Sequence, residues 1–298
     1  RFNIAVSMGV SVFSPGRTDF SEVLREADIA LYASKQAGRN RATFFNEEMG
    51  AAARERDDII SEIKIALVQR DFELHYQPRV DLQTGRVVSA EALVRWNHPD
   101  RGMIMPDKFI GLCEETGMIE ELGEQILQMG FDQALVWQKA GLDIELSINI
   151  SPRQFTDQRL MRALEAFAAV KDFPRDKIEL EVTENVLIGD HDMIAAKLKA
   201  ISEMGYRIAI DDFGTGYSNL SYISRFPLTC LKIDRSFINQ LPASGPIISL
   251  ILTLGRQIGA TIVAEGVETT AALDWLIAKE CGQAQGYILA RPADVAQF

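Results

Sequence analysis

Acidic and amide side chains lie at or near the ends of successive apolar segments of this chain. In chain order they are Glu91, Asn149, Glu181, Asp211, Asp212, Glu265 and Gln285, and Lys232 lies among them. Carboxylate and amide oxygens, without histidine or cysteine, suit hard divalent ions such as Mg²⁺ or Mn²⁺. Two such ions about 3.5–4 Å apart can activate a water molecule against a phosphodiester. The residue types therefore predict a two-metal hydrolytic site in which the adjacent Asp211 and Asp212 share or bridge the ions.

The charge balance fits such a site. The chain carries 31 basic and 42 acidic residues, a net charge of −11. That balance argues against a basic surface for duplex nucleic acid. Clustered carboxylates raise one another's pKa values and burial raises them further, so bound cations are the simple way to keep the carboxylates ionised. An anionic substrate would then be attracted by the cations.

The elements that must position these side chains alternate between strands and helices. The predicted strands are Phe72–Val80, Val87–Trp96, Ile144–Ile150, Lys177–Thr183, Arg207–Asp211, Cys230–Ile233, Thr261–Ala264 and Gln285–Leu289. The predicted helices are Pro106–Glu115, Glu121–Ala140, Asp157–Ala169, Asp192–Met204, Pro246–Ile258 and Thr269–Lys279. Alternation of this kind indicates βαβ units and a mostly parallel sheet.

The fold class predicted is α/β, a (β/α)8 TIM-like barrel in which the carboxyl ends of the strands meet at one mouth. A hairpin-like turn, Gln83-Thr84-Gly85, joins the first two strands, so one antiparallel strand is expected in the barrel. A doubly wound open sheet is the structural alternative. It is less favoured because no glycine-rich fingerprint follows the first strand.

The beginning of the chain predicts a separate, smaller unit. A strand over Phe2–Phe13, a helix over Phe20–Lys35 and a strand over Ala42–Phe45 form a short β-α-β remnant, too small for a domain. A charged, alanine-rich helix over Glu47–Arg70 then connects it stiffly to the barrel. We therefore predict a fragment over residues 1–46, a connecting helix over 47–58 and the barrel domain over 59–298.

Composition indicates a globular chain, with 47% hydrophobic and 24% charged residues. Cys113, Cys230 and Cys281 are widely spaced and form no CxxC pair, which indicates a reducing compartment. The longest apolar stretch, around Ile247–Leu254, is too short to span a bilayer. We expect this fragment to be cytoplasmic and to make no membrane contact. The start at Arg1 suggests a piece of a longer protein, whose own membrane attachment stays open.

The motifs at the strand ends resemble those of the EAL-domain family of cyclic di-GMP phosphodiesterases. The naming signature is Glu91-Ala92-Leu93-Val94-Arg95-Trp96, and the resemblance continues through Asn149-Ile150-Ser151, Glu181-Val182-Thr183-Glu184, Asp211-Asp212-Phe213-Gly214-Thr215-Gly216, Lys232-Ile233-Asp234, Glu265-Gly266-Val267-Glu268 and Gln285-Gly286-Tyr287. The resemblance implies a barrel that opens cyclic di-GMP to linear pGpG in bacterial second-messenger signalling, with two Mg²⁺ or Mn²⁺ ions per site. It also implies a homodimer formed through this domain.

The resemblance implies individual roles as well. Metal ligands would be Glu91, Asn149, Glu181, Asp211, Asp212 and Glu265, and the catalytic residues Lys232, Glu265 and Glu91. Lys232 and Glu265 would lie near the nucleophilic water, and which of them acts as the base stays open. Gln77, Leu93, Arg95 and Gln285 would contact substrate, with Arg95 facing a phosphate. Glu184 would anchor the loop over residues 211–219, and Glu268 would help to hold the second metal.

The opening segment resembles the C-terminal end of a GGDEF domain, the diguanylate cyclase family. The resemblance lies in Ala27-Asp28-Ile29-Ala30-Leu31-Tyr32, followed by Lys35 and Gly38-Arg39-Asn40. The GGDEF signature is absent from the sequence, so we expect no cyclase activity and expect Lys35 and Arg39 to form an exposed helix end.

Two other functions stay open at this stage. A catalytically silent receptor would bind cyclic di-GMP without cleaving it, and a phosphodiesterase could act on another nucleotide. Silent members are expected to lack some ligands, whereas every ligand position here carries the expected residue type. His75, His98 and His191 lack metal-ligand spacing, and we expect them to be structural.

Overall fold

The computed structural model describes residues 5–13, 19–216, 223 and 225–298. The chain divides into two compact units, Arg1–Ile65 and Ala66–Phe298. Within the described residues, no helix combines the length and apolar character needed to cross a membrane.

The first unit is the predicted β-α-β arrangement. Strand β1 (Met8–Val10) pairs in parallel with β2 (Ala42–Phe44), and helix α1 (Phe20–Gln36) connects them. Asp19 caps α1 by accepting hydrogen bonds from the backbone N–H groups of the first turn. Lys35 and Arg39 are exposed, as predicted.

Strand β1 is much shorter than the predicted strand over Phe2–Phe13, whose first three residues lie outside the described ranges. The apolar alternation in this segment therefore predicted a longer strand than the one that pairs with β2. Gly9 explains how β1 packs, because a Cβ there would lie 2.0 Å from the carbonyl oxygen of Ala27 on α1. Helix α2 (Glu47–Gln69) follows β2, close to the predicted span.

The second unit is a closed, eight-stranded, mixed β-barrel. Its strands are β3 (Phe72–Asp81), β4 (Val87–His98), β6 (Glu145–Ile150), β7 (Ile178–Thr183), β8 (Arg207–Phe213), β9 (Cys230–Ile233), β10 (Thr261–Ala264) and β11 (Gln283–Ala284), while β5 (Gly102–Ile104) pairs with β4 outside the ring. The order is β3-β11-β10-β9-β8-β7-β6-β4, and the pairing of β3 with β4 closes the ring. Strand β3 is antiparallel to both neighbours. The predicted barrel with one antiparallel strand is confirmed.

Helices follow the strands on the outside of the barrel. They are α3 (Ile110–Thr116), α4 (Ile119–Lys139), α5 (Pro152–Thr156), α6 (Gln158–Ala168), α7 (His191–Glu203), α8 (Arg235–Asn239), α9 (Gly245–Ile258) and α10 (Thr270–Ala278), with 3-10 turns at Pro106–Lys108, Arg175–Lys177 and Glu184–Leu187. Helix α4 shows how they pack, because its buried residues recur at intervals of three and four. This spacing places one apolar stripe against the sheet.

The predicted last strand, Gln285–Leu289, is wrong. The strand is Gln283–Ala284, and the residues after it turn across Val267. The backbone N–H of Val267 donates to the carbonyl of Gln285 at 3.0 Å, and a Cβ on Gly286 would lie 2.2 Å from Val267 backbone atoms. The apolar side chains that favoured a strand therefore belong to a turn whose backbone packs against Val267, with Tyr287 and Ile288 exposed. Gln285 does not open the last strand but directly follows it.

Smaller differences concern short elements. The predicted helix Pro106–Glu115 is split at Phe109 into a 3-10 turn and α3. Helix α5 and strand β5 were not predicted. The signal for α5 is a capping box, in which Ser151 and Gln154 exchange side-chain to backbone hydrogen bonds.

A candidate active site at the carboxyl ends of the strands

The barrel strands carry the predicted site residues at or near their carboxyl ends. Glu91 lies on β4, Asn149 on β6, Glu181 on β7, Asp211 and Asp212 on β8 and Lys232 on β9, while Glu265 and Gln285 directly follow β10 and β11. Because side chains alternate across a strand, the residues two positions earlier face the same interior. Three of those earlier positions hold the compact side chains of Ala209, Cys230 and Val263, which form one buried cluster. The polar site residues therefore lie above a layer of the barrel interior that includes small apolar side chains.

The Lys232 ammonium lies at the centre of the predicted carboxylate ligands. Its Nζ is 2.6 Å from Glu181 Oε2, 2.6 Å from Glu265 Oε1, 3.3 Å from Asp211 Oδ1 and 3.5 Å from Glu91 Oε2. Lys232 itself is fully buried. The structure thus brings together four carboxylates from four different strands around one cation.

Glu91 is held in place by two amides. Asn149 Nδ2 donates to Glu91 Oε1 at 2.7 Å, and Gln285 Nε2 donates to Glu91 Oε2 at 2.7 Å. Gln285 Nε2 also donates to Gln77 Oε1 at 3.0 Å, and Gln77 donates onward to the carbonyl of Ala290. The predicted ligand Asn149 and two predicted substrate contacts are therefore joined in one network.

A second group of oxygens lies beside Lys232. One carboxylate oxygen from each of Asp211, Asp212 and Glu265 lies within 4.8 Å of the others, a spacing that could hold a cation. Asp212 has a φ of 54°, in the left-handed region that non-glycine residues rarely adopt. Its backbone N–H donates to Asp211 Oδ1 at 2.9 Å. This local turn gives the two adjacent carboxylates different directions.

Burial and mutual repulsion shape the ionisation of the site. Burial raises the pKa of Glu265 to about 8, against the effect of Lys232, and raises the pKa of Asp212 to about 6 with the help of Asp211. Burial likewise raises the pKa of Glu181. For Glu91 burial also acts upward, but Lys232 and the amide hydrogen bonds hold its pKa below the ordinary value. Positive charge is therefore needed to keep all the carboxylates ionised at neutral pH.

The Lys232 ammonium is stabilised by the same acids. Burial alone lowers the pKa of a lysine, but here Asp211, Glu181, Glu265 and Glu91 raise the pKa of Lys232 well above its ordinary value. Lys232 therefore acts as a hydrogen-bond donor in this arrangement.

A cavity of about 340 Å³ opens above the site. Its lining includes Gln77, Glu91, Asp211, Asp212, Glu265, Glu268 and Gln285, all of which were predicted site residues. Asp234, Arg235 and Tyr287 also line it and were not predicted. Their signal was present in the sequence, since Asp234 and Tyr287 end two of the recognised motifs and Arg235 follows Asp234 directly. Asp234 raises the pKa of Asp212 by repulsion and hydrogen bonding.

Leu93 and Arg95 lie on the same strand as Glu91 but have different surroundings. Leu93 lines a neighbouring, mostly apolar cavity of about 260 Å³ that also reaches Asn149. Arg95 is buried, and its Nη1 donates to the carbonyl of Val94 at 2.9 Å. The predicted phosphate contact of Arg95 stays a prediction.

Glu184 contacts the segment after β8. Its Oε2 accepts hydrogen bonds from the backbone N–H groups of Gly214 at 2.8 Å and Gly216 at 3.3 Å. Within the predicted loop over residues 211–219, residues 217–219 lie outside the described ranges. The described part of the loop is held by Glu184 immediately after the two aspartates.

His75 and His98 have local partners away from the site. His75 Nε2 lies 3.0 Å from Glu73 Oε1, and His98 Nδ1 accepts hydrogen bonds from the backbone N–H groups of Asp100 and Arg101. Both residues stabilise strand or turn geometry.

A mixed eight-stranded barrel with an all-oxygen acidic site at the carboxyl ends of its strands defines the class of the protein. The family model described as EAL domain matches residues 60–292, and the one described as Diguanylate cyclase, GGDEF domain matches residues 1–41. The chain belongs to the EAL domain family and carries a GGDEF segment before it, as the motifs predicted.

Named relatives agree with this assignment. The chain is 38% identical to the bifunctional diguanylate cyclase/cyclic di-GMP phosphodiesterase MucR of Pseudomonas aeruginosa, over 99% of this chain and 44% of MucR. It is 37% identical to the cyclic di-GMP phosphodiesterase NbdA of the same organism, over 98% of this chain and 38% of NbdA. The chain thus spans less than half the length of these relatives.

A solved structure described as PaMucR Phosphodiesterase, c-di-GMP complex, superposes with a TM-score of 0.78 at 39% identity. The superposition covers 80% of this chain and 99% of that chain. The barrel described above is therefore similar to one that has been solved with this ligand.

Proposed function

We propose that this chain hydrolyses cyclic di-GMP to linear pGpG with two divalent cations, Mg²⁺ or Mn²⁺. The observation that carries the proposal is the convergence of Glu91, Glu181, Asp211 and Glu265 on Lys232. Relatives named as cyclic di-GMP phosphodiesterases support the choice of substrate.

The donor atoms fit two hard cations. Glu91, Asn149 and Glu181 offer oxygens from β4, β6 and β7, and oxygens of Asp211, Asp212 and Glu265 lie within 4.8 Å of one another. All six are carboxylate or amide groups, which Mg²⁺ and Mn²⁺ prefer. The raised pKa values of Glu265 and Asp212 support the same reading, because the single charge of Lys232 does not keep both carboxylates fully ionised at neutral pH.

The reaction joins a water oxygen to phosphorus and breaks the bond from phosphorus to a ribose 3′ oxygen, which takes up a proton. Bound cations would supply the positive charge that lowers the pKa of water and stabilises the transition state. Lys232 donates to both Glu181 and Glu265, so it orients the carboxylates next to the attacking water. Glu91, fixed by Asn149 and Gln285, presents its oxygens towards the cavity.

The two cavities suit the two parts of the substrate. The acidic cavity, about 340 Å³, would take the reacting phosphodiester, and the apolar cavity beside Leu93 would take a base. The buried Oε1 of Gln285 has no hydrogen-bond partner among the described residues, and it lines the acidic cavity. It is therefore available to accept from a water or from substrate.

Product chromatography tests the proposal. Metal-stripped protein is incubated with cyclic di-GMP, with and without Mg²⁺ or Mn²⁺. We expect pGpG only when metal is present. Binding of cyclic di-GMP without product would favour the silent receptor, and faster cleavage of another cyclic nucleotide would change the substrate.

The homodimer through the EAL domain and the cytoplasmic location of the fragment remain part of this proposal. Light scattering of the purified chain, with and without metal, measures its mass in solution and so tests the proposed homodimer. A mass of 33.2 kDa under all conditions would count against a dimer.

A further inference from the structure

A second group of charged residues lies inside the barrel, below the proposed metal site. Arg79 on β3 and Glu179 on β7 are each 1% exposed. They lie two residues from Gln77 and Glu181 on the same strands, and therefore on the same inward face. A guanidinium so deeply buried is costly unless all of its partners are well placed. Its contacts therefore show what it does.

The Arg79 guanidinium joins two glutamates of β7. Nη1 donates to Glu179 Oε1 at 2.8 Å, and Nη2 donates to Glu181 Oε1 at 2.7 Å and to the hydroxyl of Ser147. The Ser147 hydroxyl donates to Glu179 Oε1 at 2.9 Å. The planar fork of arginine suits this geometry, because it reaches two carboxylates in fixed directions.

These contacts fix both oxygens of Glu181. Arg79 holds Oε1 from below, and Lys232 Nζ holds Oε2 at 2.6 Å. A carboxylate offers about four lone-pair positions, so each oxygen keeps one for a cation. With both ends held, the carboxylate cannot rotate away from the position in which it meets the metal.

The charge of Arg79 is balanced locally. Glu179 takes the other side of the guanidinium, and its second oxygen lies 3.9 Å from Arg207 Nε. Arg207 in turn pairs with Glu145 at 3.2 Å at the opposite end of the strands. Charges therefore alternate from Lys232 down to Glu145. Because Glu179 balances Arg79, Arg79 can orient Glu181 without cancelling the charge that a cation requires.

We propose that Arg79 is a positioning residue for the metal ligand Glu181, and that Glu179 and Ser147 hold Arg79 in place. This inference rests on the proposed function, because it concerns the affinity of the same metal site. Arg79 would act on the metal site through Glu181, from inside the barrel, and would not contact the substrate.

The test measures Mn²⁺ binding by calorimetry on the full chain without substrate, beside turnover. The double variant Arg79→Met/Glu179→Gln removes both charges and so leaves no unpaired ion from this pair. Arg79→Lys keeps the charge but cannot reach both glutamates and Ser147 at once. Arg207→Gln is the matched control, because Arg207 contacts Glu179 from the far side and is half-buried.

We expect the double variant to bind Mn²⁺ about 10–100-fold more weakly, the usual effect of losing a group that orients a ligand. Arg79→Lys should lie between it and wild type, and Arg207→Gln should bind like wild type. The KM for cyclic di-GMP at saturating Mn²⁺ should stay unchanged, because Arg79 lies below the cavity. A purely structural role would lower the melting temperature without moving the Mn²⁺ affinity.

A folded double variant with wild-type Mn²⁺ affinity would overturn the role of Arg79 and leave the proposed function intact. If the double variant does not fold, unchanged Mn²⁺ binding by Arg79→Lys overturns the role just as well. Wild-type protein that binds no Mn²⁺ would overturn the metal site and the role together. Wild-type protein that binds Mn²⁺ but makes no pGpG would overturn only the proposed hydrolysis.

Discussion

At the scale of single residues, the site is a balance between one buried ammonium and a surrounding set of acids. Lys232 is within 3.5 Å of four carboxylates. The residues that belong to this set were predictable, since polar side chains at inward positions of apolar strands have few structural uses. Arg79 was not predicted, because a charged residue on a strand is usually exposed.

Glu91→Gln should abolish most of the activity while the fold stays intact. The amide keeps the shape and can still hydrogen bond, but it loses the charge that a cation requires. We expect turnover to fall by at least about 100-fold and Mn²⁺ binding to weaken in parallel. Chromatography and calorimetry on the same preparation measure both. Wild-type turnover in this variant would remove Glu91 from the metal ligands.

Lys232→Met should make stability depend strongly on metal. Without the ammonium, the buried carboxylates are uncompensated, and breaking a buried ion pair on one side costs about 3–5 kcal/mol. Mn²⁺ should restore much of that loss by replacing the missing positive charge. Urea unfolding with and without Mn²⁺ measures the difference.

The turnover of Lys232→Met is expected to fall more than its affinity for cyclic di-GMP, because Lys232 is buried beneath the cavity. A loss of affinity with unchanged turnover would assign Lys232 to substrate binding. If Lys232→Met and wild type have equal free energies of unfolding in the absence of metal, Lys232 does not compensate the buried carboxylates.

At the scale of elements, strands were predicted well where a short apolar run is buried along nearly all of its length. The spans of β9 and β10 match the predicted segments, and both strands are buried. Prediction failed at Gln285–Leu289, because the exposed apolar residues Tyr287 and Ile288 of a turn give the same sequence signal as a strand. It also missed β5 and α5, whose three and five residues are too few for a periodic pattern.

The Glu184 contact provides a test of the loop after β8. In Gly216→Ala, the new Cβ would lie 2.8 Å from Glu184 Oε1, so the carboxylate must move away from the loop. Losing hydrogen bonds to a charged group costs about 1.5–3 kcal/mol each. We expect lower turnover and weaker Mn²⁺ binding, since the loop follows Asp211 and Asp212 directly.

Gly111→Ala is the matched control for this substitution. Gly111 lies in helix α3, and a Cβ there meets nothing within 4 Å. Alanine is favoured over glycine in a helix by about 1 kcal/mol, so this variant should be slightly more stable and fully active. Equal activity of the two alanine variants would show that the loop contact does not matter for the site.

At the scale of the whole molecule, the barrel contains every residue that the proposal uses. The two compact units divide after Ile65, and the EAL family model begins at residue 60. The predicted boundaries at residues 46, 58 and 59 remain predictions. A division into two units was foreseeable from the sequence, because a short β-α-β segment is followed by a much longer repeated strand–helix pattern.

Removal of residues 1–58 should leave hydrolysis intact. All proposed ligands follow this segment, and the helix that crosses the unit boundary keeps its final turns. We expect turnover within about twofold of the full chain, a change too small to indicate a lost metal contact. A folded short chain that binds Mn²⁺ but no longer cleaves cyclic di-GMP would show that the GGDEF segment takes part in activity.

Anomalous diffraction from crystals grown with Mn²⁺ would locate the cations directly. The proposed site requires two peaks about 3.5–4 Å apart. Glu91, Asn149, Glu181 and Glu265 should surround the pair of ions, with Asp211 and Asp212 sharing or bridging them. Crystals saturated with Mn²⁺ that show no peak beside Lys232, or a peak bound by other residues, would contradict the two-metal site.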